Sequence, residues 1–380
     1  MASHNGRVST TASIRFTVSP APAPARKSAD ERARLLAAPG FGRIFSEHMV
    51  SIHWDAEDGW HDAALRPYGP VQLDPATSYL HYAQGVFEGL KAFRQANGGV
   101  AVFRPEAHAA RFRRSSRRLA LPELPEETFV EAIDLLIQHD HEWTPNAAEQ
   151  SLYLRPFMYA SDVGLGVHPG AEVTFLLIAS PSGSYFPRGV KPVTVWLSED
   201  YTRAAPGGTG EAKTGGNYAG GLLAQLQAER EGCDNVVWLD AAAHSYVEEM
   251  GGMNLCFVFG SGPQARLVTP ALTGTLLPGI TRDSLLKLAA DLGYASEERR
   301  VSVEEWRRGC ADGSLSEAFA CGTAAVITPV GEVKSAHGGW KVSGGGPGPV
   351  TMQLRQALVD IQRGSARDAH GWMHEVKLLS

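Results

Sequence analysis

The stretch EAKTGGNYAGG, Glu211 to Gly221, sets Lys213 in a glycine-rich loop with Asn217 and Tyr218 close behind. Lysine is scarce here: only 8 of the 35 basic residues (Lys plus Arg) are lysine. A lysine amine can lose its proton near neutral pH and become a nucleophile, which a guanidinium cannot do. One use of such an amine is to hold pyridoxal phosphate as a Schiff base. That cofactor makes three further demands: cationic and backbone N–H partners for its phosphate, a carboxylate for its pyridine nitrogen, and a hydrogen-bond donor for its phenolic oxygen.

Each demand has a candidate. LPGITRDSL places Gly279 at a helix start, where the amides of Ile280 and Thr281 point outward and the helix dipole favours an anion. CGTAAV, Cys321 to Val326, is a second small-residue turn, with the Thr323 hydroxyl and amide in reach of a phosphate. Arg111 can pair with a phosphate through two parallel hydrogen bonds. In HSYVEEMGGMN, Glu248 and Glu249 are strand neighbours, so one is expected to face inward and the other to be solvated. Each feature also has an ordinary structural explanation: an idle loop lysine, a basic surface helix, an exposed strand-end glutamate. From the residues alone, the order of lysine loop, strand acid, glycine-led helix and GT turn reads as an anion-binding α+β enzyme.

The elements that must position these residues are mixed. The chain has 380 residues, room for two domains and a well-buried core, with 43% hydrophobic and 20% charged residues. A net charge of −6 argues against a general polyanion binder, and RFRRSSRRL (Arg111 to Leu119) reads as one basic helical face. No nucleic-acid footprint, signal-peptide segment or membrane span is legible, and a cytoplasmic protein is expected. Cys233, Cys256, Cys310 and Cys321 have no CxxC spacing and no histidine cluster, so reduced buried thiols are expected and a metal site is not.

Helices are predicted over EAHAARFRRSSRRL, PEETFVEAIDLLIQHD, NYAGGLLAQLQAEREG, ITRDSLLKLAADLG and about Val350 to Gly364. In the second, Phe129, Ile133, Leu136 and Ile137 recur at helical spacing. Strands are predicted at VAVFRP, SLYLRPFMYA, VTFLLIAS, VTVWLSED, NVVWLD, on both sides of the Gly-Gly turn in HSYVEEMGGMNLCFVFG, and at RLVTP. Without regular βαβ alternation, α+β is favoured over a doubly wound sheet. Residues 1–30, with their APAPA run, read as a flexible arm. A small N-terminal α+β domain is expected over residues 31–184, a Pro/Gly-rich linker over 185–192 and a larger domain over 193–380.

The motifs FEGLKAFR, FRPEAHAARF, SLYLRP, SYFPRG, KTGGNYAGGL, GCDNVVWLD, EEMGGMNLCFVF, LPGITRDSLL and CGTAAVITPV resemble, in order and spacing, those of the branched-chain-amino-acid aminotransferases, pyridoxal-phosphate enzymes of fold type IV. They cover roughly His81 to Val330. The resemblance implies that Lys213 is the Schiff-base lysine and moves the proton between the substrate α-carbon and the cofactor. It implies Tyr218 on the phenolic oxygen and Glu249, in EMGGMN, on the pyridine nitrogen. Arg111, Ile280, Thr281 and Thr323 would hold the phosphate. Tyr82, Tyr153, Arg155, Tyr185, Gly322 and Ala324 would line the substrate pocket. The implied reaction moves the amino group of L-leucine, L-isoleucine or L-valine to 2-oxoglutarate, in a homodimer that shares pocket residues across its interface. Animal members carry a redox CxxC after the GT turn; Ala325 and Thr328 stand there in this chain, so that regulation is expected to be absent. Rival readings are a D-amino-acid aminotransferase or aminodeoxychorismate lyase of the same fold, a scaffold that binds no cofactor, and a specialised aminotransferase of a secondary pathway.

Overall fold

The computed structural model describes residues 14–184 and 189–379. They form two nine-stranded sheets with helices packed against both, an α+β arrangement. The first sheet runs Thr17–Val18, Gly59–Pro67, His48–Asp55, Glu172–Ser182, Ser151–Ala160, Leu90–Arg94, Val100–Phe103 and Met373–Val376, with Gly85–Phe87 paired on Ser151–Ala160. The second runs Val247–Met250, Asn235–Leu239, Val193–Ser198, Val326–Ser335, Leu315–Gly322, Met253–Phe259, Arg266–Thr269 and Ala295–Glu298, with Gly338–Lys341 on Val326–Ser335. A further pairing of Val247–Met250 with Met253–Phe259 closes six of these strands into a ring. Val195, Leu197, Val237, Leu255 and Phe257 belong to the core cluster of this sheet.

Two helices cover the first sheet. Pro105–Arg118 begins with proline, whose missing N–H costs nothing in a first turn. Glu126–Asp140 buries Phe129, Ile133, Leu136 and Ile137, as its spacing predicts. The Phe112 ring lies 5.3 Å from Phe129 and 5.8 Å, edge-on, from Phe175, so both helices and the sheet meet in one aromatic contact. The second sheet is flanked by Ile280–Asp291 and Pro349–Gln362.

Three expectations change. From Ile14 on, the segment read as a flexible arm is laid against the body. Thr17–Val18 pairs in parallel with Gly59–Pro67, and the buried Ala21 donates its N–H to His48 Nε2 at 2.9 Å. His48 in turn is held through Nδ1 by buried Asp140 at 2.6 Å. The helix read over NYAGGLLAQLQAEREG breaks at Gly220–Gly221 into Gly216–Ala219 and Leu222–Arg230. A Cβ on Gly221 would meet Trp238 at 2.9 Å, so glycine permits the close approach to Asn235–Leu239. Lastly, Met373–Val376 crosses the boundary drawn at residue 193 and pairs with Val100–Phe103 of the first sheet, covering what would be an open edge. The linker expected at 185–192 includes residues 185–188, which lie outside the described residues. No described helix is long and apolar enough to cross a membrane.

Candidate active site

The Lys213 loop is stitched to the first sheet. Phe87 N donates to Lys213 O at 3.0 Å, Lys213 N donates to Ser115 Oγ at 2.9 Å, and Thr214 Oγ1 donates to Gly85 O at 2.8 Å. Asn217 closes the loop on itself: its Nδ2 donates to Thr209 O and Ala212 O, and its Oδ1 accepts from Thr209 Oγ1. With the backbone so fixed, Lys213 Nζ donates to the Tyr218 hydroxyl at 2.8 Å and lies 4.7 Å from the centre of the Phe87 ring. Both side chains open on a cleft of about 290 Å³ walled by residues of both sheets.

One end of the cleft is built for an anion. The helix Ile280–Asp291 starts at Gly279 with no side chain capping it, so its first amides are left for a ligand. Ile280 and Thr281 line the cleft there, as do Gly322, Thr323 and Ala324 of the GT turn. Gly279 is required by packing: a Cβ would fall 1.9 Å from Asn254 Oδ1. Arg111 also lines this end, but its Nε–Nη2 edge is already engaged by Glu88, at 2.7 and 2.8 Å, and Nη1 donates to Pro278 O at 3.1 Å. The two-pronged phosphate contact expected of Arg111 must therefore do without that edge. Burial alone would raise the Glu88 carboxyl, but Arg111 and His108, whose Nδ1 is 2.7 Å away, hold it well below the usual carboxylate range.

Behind the cleft lies Glu249, only 1% exposed. Arg203 Nε approaches it at 2.8 Å, the Leu277 amide donates to it at 2.7 Å and Asn254 Nδ2 at 3.2 Å. Burial nonetheless pushes its carboxyl up to about 7, against the pull of Arg203, the Leu277 amide and Lys213. Its neighbour Glu248 is buried too, with Thr275 Oγ1 donating to it at 2.5 Å. The expectation that the second acid is solvated fails, because the loop through Thr275 covers it.

The remaining wall is largely apolar, from Phe41, Phe87 and Met253. The Phe41 ring meets Tyr153 edge-on at 5.1 Å. Arg155 Nη2 donates to the Tyr153 hydroxyl at 3.2 Å, while its buried Nε has no hydrogen-bond partner among the described residues.

Of the residues expected at the site, Lys213, Tyr218, Arg111, Ile280, Thr281, Thr323, Tyr153, Arg155, Gly322 and Ala324 line this one cleft. Glu249 stands just behind it. Tyr82 does not line it; its hydroxyl donates to Leu165 O at 2.6 Å on an exposed surface. Tyr185 lies outside the described residues. Sequence reasoning missed Glu88, Arg203, Asn217, Asn254 and Phe41. Glu88 was within sight in FEGLKAFR, where a glutamate amid apolar strand residues signals a buried partner.

The amino-transferase class IV family model matches residues 85–333. The chain is 60% identical over 348 residues to a probable branched-chain-amino-acid aminotransferase of Streptomyces coelicolor, covering 91% of this chain and 95% of that one. It is 59% identical over 361 residues to the branched-chain-amino-acid aminotransferase of Mycolicibacterium smegmatis, covering 95% and 98%. Its fold superposes on the crystal structure of the T.th. branched-chain amino acid aminotransferase complexed with N-(5'-phosphopyridoxyl)-L-glutamate, with a TM-score of 0.72 at 27% identity, covering 88% of this chain and 100% of that one.

Proposed function

The chain belongs to the class IV amino-transferases, as an enzyme of their branched-chain-amino-acid group, and from that premise we propose that its cleft holds pyridoxal 5'-phosphate and passes the amino group of L-leucine, L-isoleucine or L-valine to 2-oxoglutarate. The observation that carries this reading is the donor set along one cleft. It comprises an uncapped helix start and GT turn, then Lys213 Nζ on the Tyr218 hydroxyl, then a buried Glu249.

The residues fit the cofactor. Ile280, Thr281, Thr323 and the free hydrogens of Arg111 would hold its phosphate; Tyr218 would donate to its phenolic oxygen and Glu249 would face its ring nitrogen. When bound, the cofactor supplies the carbonyl that takes the amino group and the electron sink for the α-carbon. Because Glu88 already balances the Arg111 charge, the amides and the helix dipole carry much of the phosphate recognition. Lys213 would hold the cofactor through Nζ and, once released by the incoming amine, would carry the proton from the substrate α-carbon to the cofactor carbon on the other side of the transferred nitrogen. The Tyr218 hydroxyl, 2.8 Å off, orients that amine.

Phe41, Phe87 and Tyr153 give branched aliphatic side chains an apolar wall. The Arg155 guanidinium, which lines the cleft, is suited to the second carboxylate of 2-oxoglutarate. A homodimer belongs to this reading: Tyr82, Leu165 and Val167 are exposed apolar groups outside their own chain's cleft, as surfaces that serve a second copy would be. A cytoplasmic setting also belongs to it, and four free cysteines suit a reducing compartment.

Borohydride reduction of the cofactor-loaded chain followed by peptide mass spectrometry tests the central assignment. The expected result is a pyridoxyl group on Lys213, with turnover of leucine and 2-oxoglutarate. A label on another lysine would overturn the residue assignment, and no label with cofactor supplied would overturn the proposal.

A further inference from the structure

A second cavity, of about 400 Å³ against about 290 Å³ for the cleft, lies beside the N-terminal arm. Three segments wall it: residues 21–35, which run from the arm into the helix Ala29–Ala37; residues 43–47; and the pair Pro67 and Tyr68. All of them precede residue 85, where the match to the class IV amino-transferase model begins. Contacts between the segments fix the walls. The Ala21 N–H is held by His48, and the Lys27 N–H donates to Glu47 Oε1 at 3.0 Å. The Tyr68 N–H donates to Glu47 O at 2.9 Å, and the Phe45 ring stacks on Tyr68 with centroids 4.9 Å apart. A hollow of this size with preformed walls has the dimensions of a small-molecule site.

Leu35, Ile44, Phe45 and Tyr68 give the cavity an apolar wall. Lys27, Arg43 and Glu47 set two positive charges and one negative charge around the same space. Among the described residues none of the three is in an ion pair, although opposite charges share the cavity. The Lys27 ammonium has a cation–π partner, the Trp143 ring, 5.2 Å from its centre. The Arg43 guanidinium has no hydrogen bond or ion pair among the described residues. Glu47 spends Oε1 on the Lys27 amide, and its Oε2 accepts nothing from a described residue. A guanidinium in that state receives a carboxylate through two parallel hydrogen bonds, and a carboxylate receives an ammonium. A molecule that carries both groups on one carbon, beside an apolar body, answers the charges and the wall together. That molecule is an α-amino acid with an aliphatic side chain.

We propose that this cavity is a second amino-acid site, with the ligand carboxylate on Arg43, its ammonium on Glu47 and its side chain against Leu35, Ile44, Phe45 and Tyr68. The site shares no residue with the cleft and needs no cofactor. The choice of leucine as its probe rests on the substrate class proposed for the cleft; the charges and the wall do not. One loop joins the two places. Phe41 lines the cleft and Phe45 the second cavity, and both line a third hollow with Tyr153 and Arg155. The enzyme thus has one place that converts an aliphatic amino acid and another that only binds it.

The test is titration calorimetry with L-leucine on the cofactor-loaded chain after borohydride reduction, when a pyridoxyl group on Lys213 fills the cleft. Leucine still binds, at one molecule per chain. Isocaproate, which lacks the ammonium, and isoamylamine, which lacks the carboxylate, each bind about tenfold more weakly or worse, the worth of one charge-assisted hydrogen bond. Arg43→Ser removes the preference for leucine over the amine, and Glu47→Gln removes its preference over the acid. Arg43 is exposed, and glutamine keeps an acceptor for the Lys27 amide, so neither change takes away a contact that holds the fold. No saturable binding to the reduced enzyme would overturn the proposal, and so would leucine affinity within about threefold of the parent in both variants. If reduction leaves no pyridoxyl group, the reading of Lys213 fails instead. The same titration of the parent and Arg43→Ser chains then still decides the second site, because leucine bound in the cleft does not answer to Arg43.

Discussion

Glu88 and Glu249 are both buried glutamates behind the same cleft, and their surroundings drive them in opposite directions. Glu88 takes the full edge of one guanidinium and a histidine besides, and stays ionised well below the usual range. Glu249 meets one Arg203 nitrogen and two neutral donors, and burial lifts it to about 7. Burial is similar, so the number and geometry of cationic partners decide. Glu88 serves as a permanent counter-charge that fixes Arg111. Glu249 is left poised, able to share a proton with a basic ring nitrogen near neutral pH.

The contrast can be broken most severely at Glu249. Glu249→Gln keeps the shape but removes the charge, and kcat is expected to fall roughly a hundred- to ten-thousandfold while the cofactor still binds. A kcat within threefold of the parent would show that this carboxylate does not serve the ring. Glu88→Gln should act on the fold instead. It leaves Arg111 buried without a counter-charge, and urea denaturation should show a loss of about 3–5 kcal/mol. A loss below about 1 kcal/mol would mean that Arg111 is solvated or paired elsewhere.

The pH dependence of the cofactor-free chain sharpens the contrast. For Glu88 the folded-state pKa is depressed below 4.5, so its stabilising contribution is complete above that value and lost as the pH falls below it. For Glu249 the folded-state pKa is raised from 4.5 to about 7. The folded chain then keeps a proton that the unfolded chain has released, and stability declines as pH rises through that window. Denaturation between pH 4 and 8 should show the decline, and Glu249→Gln should flatten it; an unchanged slope in the variant would assign the decline to another group. The smallest effect is expected at Asn254. Asn254→Ala removes the longest of Glu249's three hydrogen bonds and one to Leu277 O, for about 1–3 kcal/mol of stability, measurable by the same denaturation.

The legibility of this molecule in its sequence divides along the same line. Side chains that act on a ligand announce themselves by type and local setting: a lysine in a glycine loop, a glycine before a helix, a threonine in a tight turn. The groups that hold them do not. Glu88 and Arg111 are 23 positions apart, and Lys91, whose Nζ donates to Ala324 O, is 233 from it. No local period links such pairs, and only folding brings them together. Strands with clear apolar runs, such as Ser151–Ala160 and Glu172–Ser182, were legible. The hairpin of His48–Asp55 and Gly59–Pro67 was not, because histidine, tryptophan and aspartate interrupt its alternation. The solvation of Glu248 was misjudged for a related reason: strand alternation predicts two faces, whereas a closed ring with a loop over it buries both.

The return of Met373–Val376 to the first sheet sets an order on synthesis. A ribosome delivers every strand of the second sheet, through Gly338–Lys341, before it delivers Met373–Val376. The six-strand ring can close while Val100–Phe103 still shows a bare edge to its surroundings. Between the delivery of Pro349–Gln362, which completes the second sheet's flank, and that of Met373–Val376, a nascent chain of this enzyme carries a finished half and an open-edged half, and that edge is where a chaperone or a neighbouring nascent chain would find it.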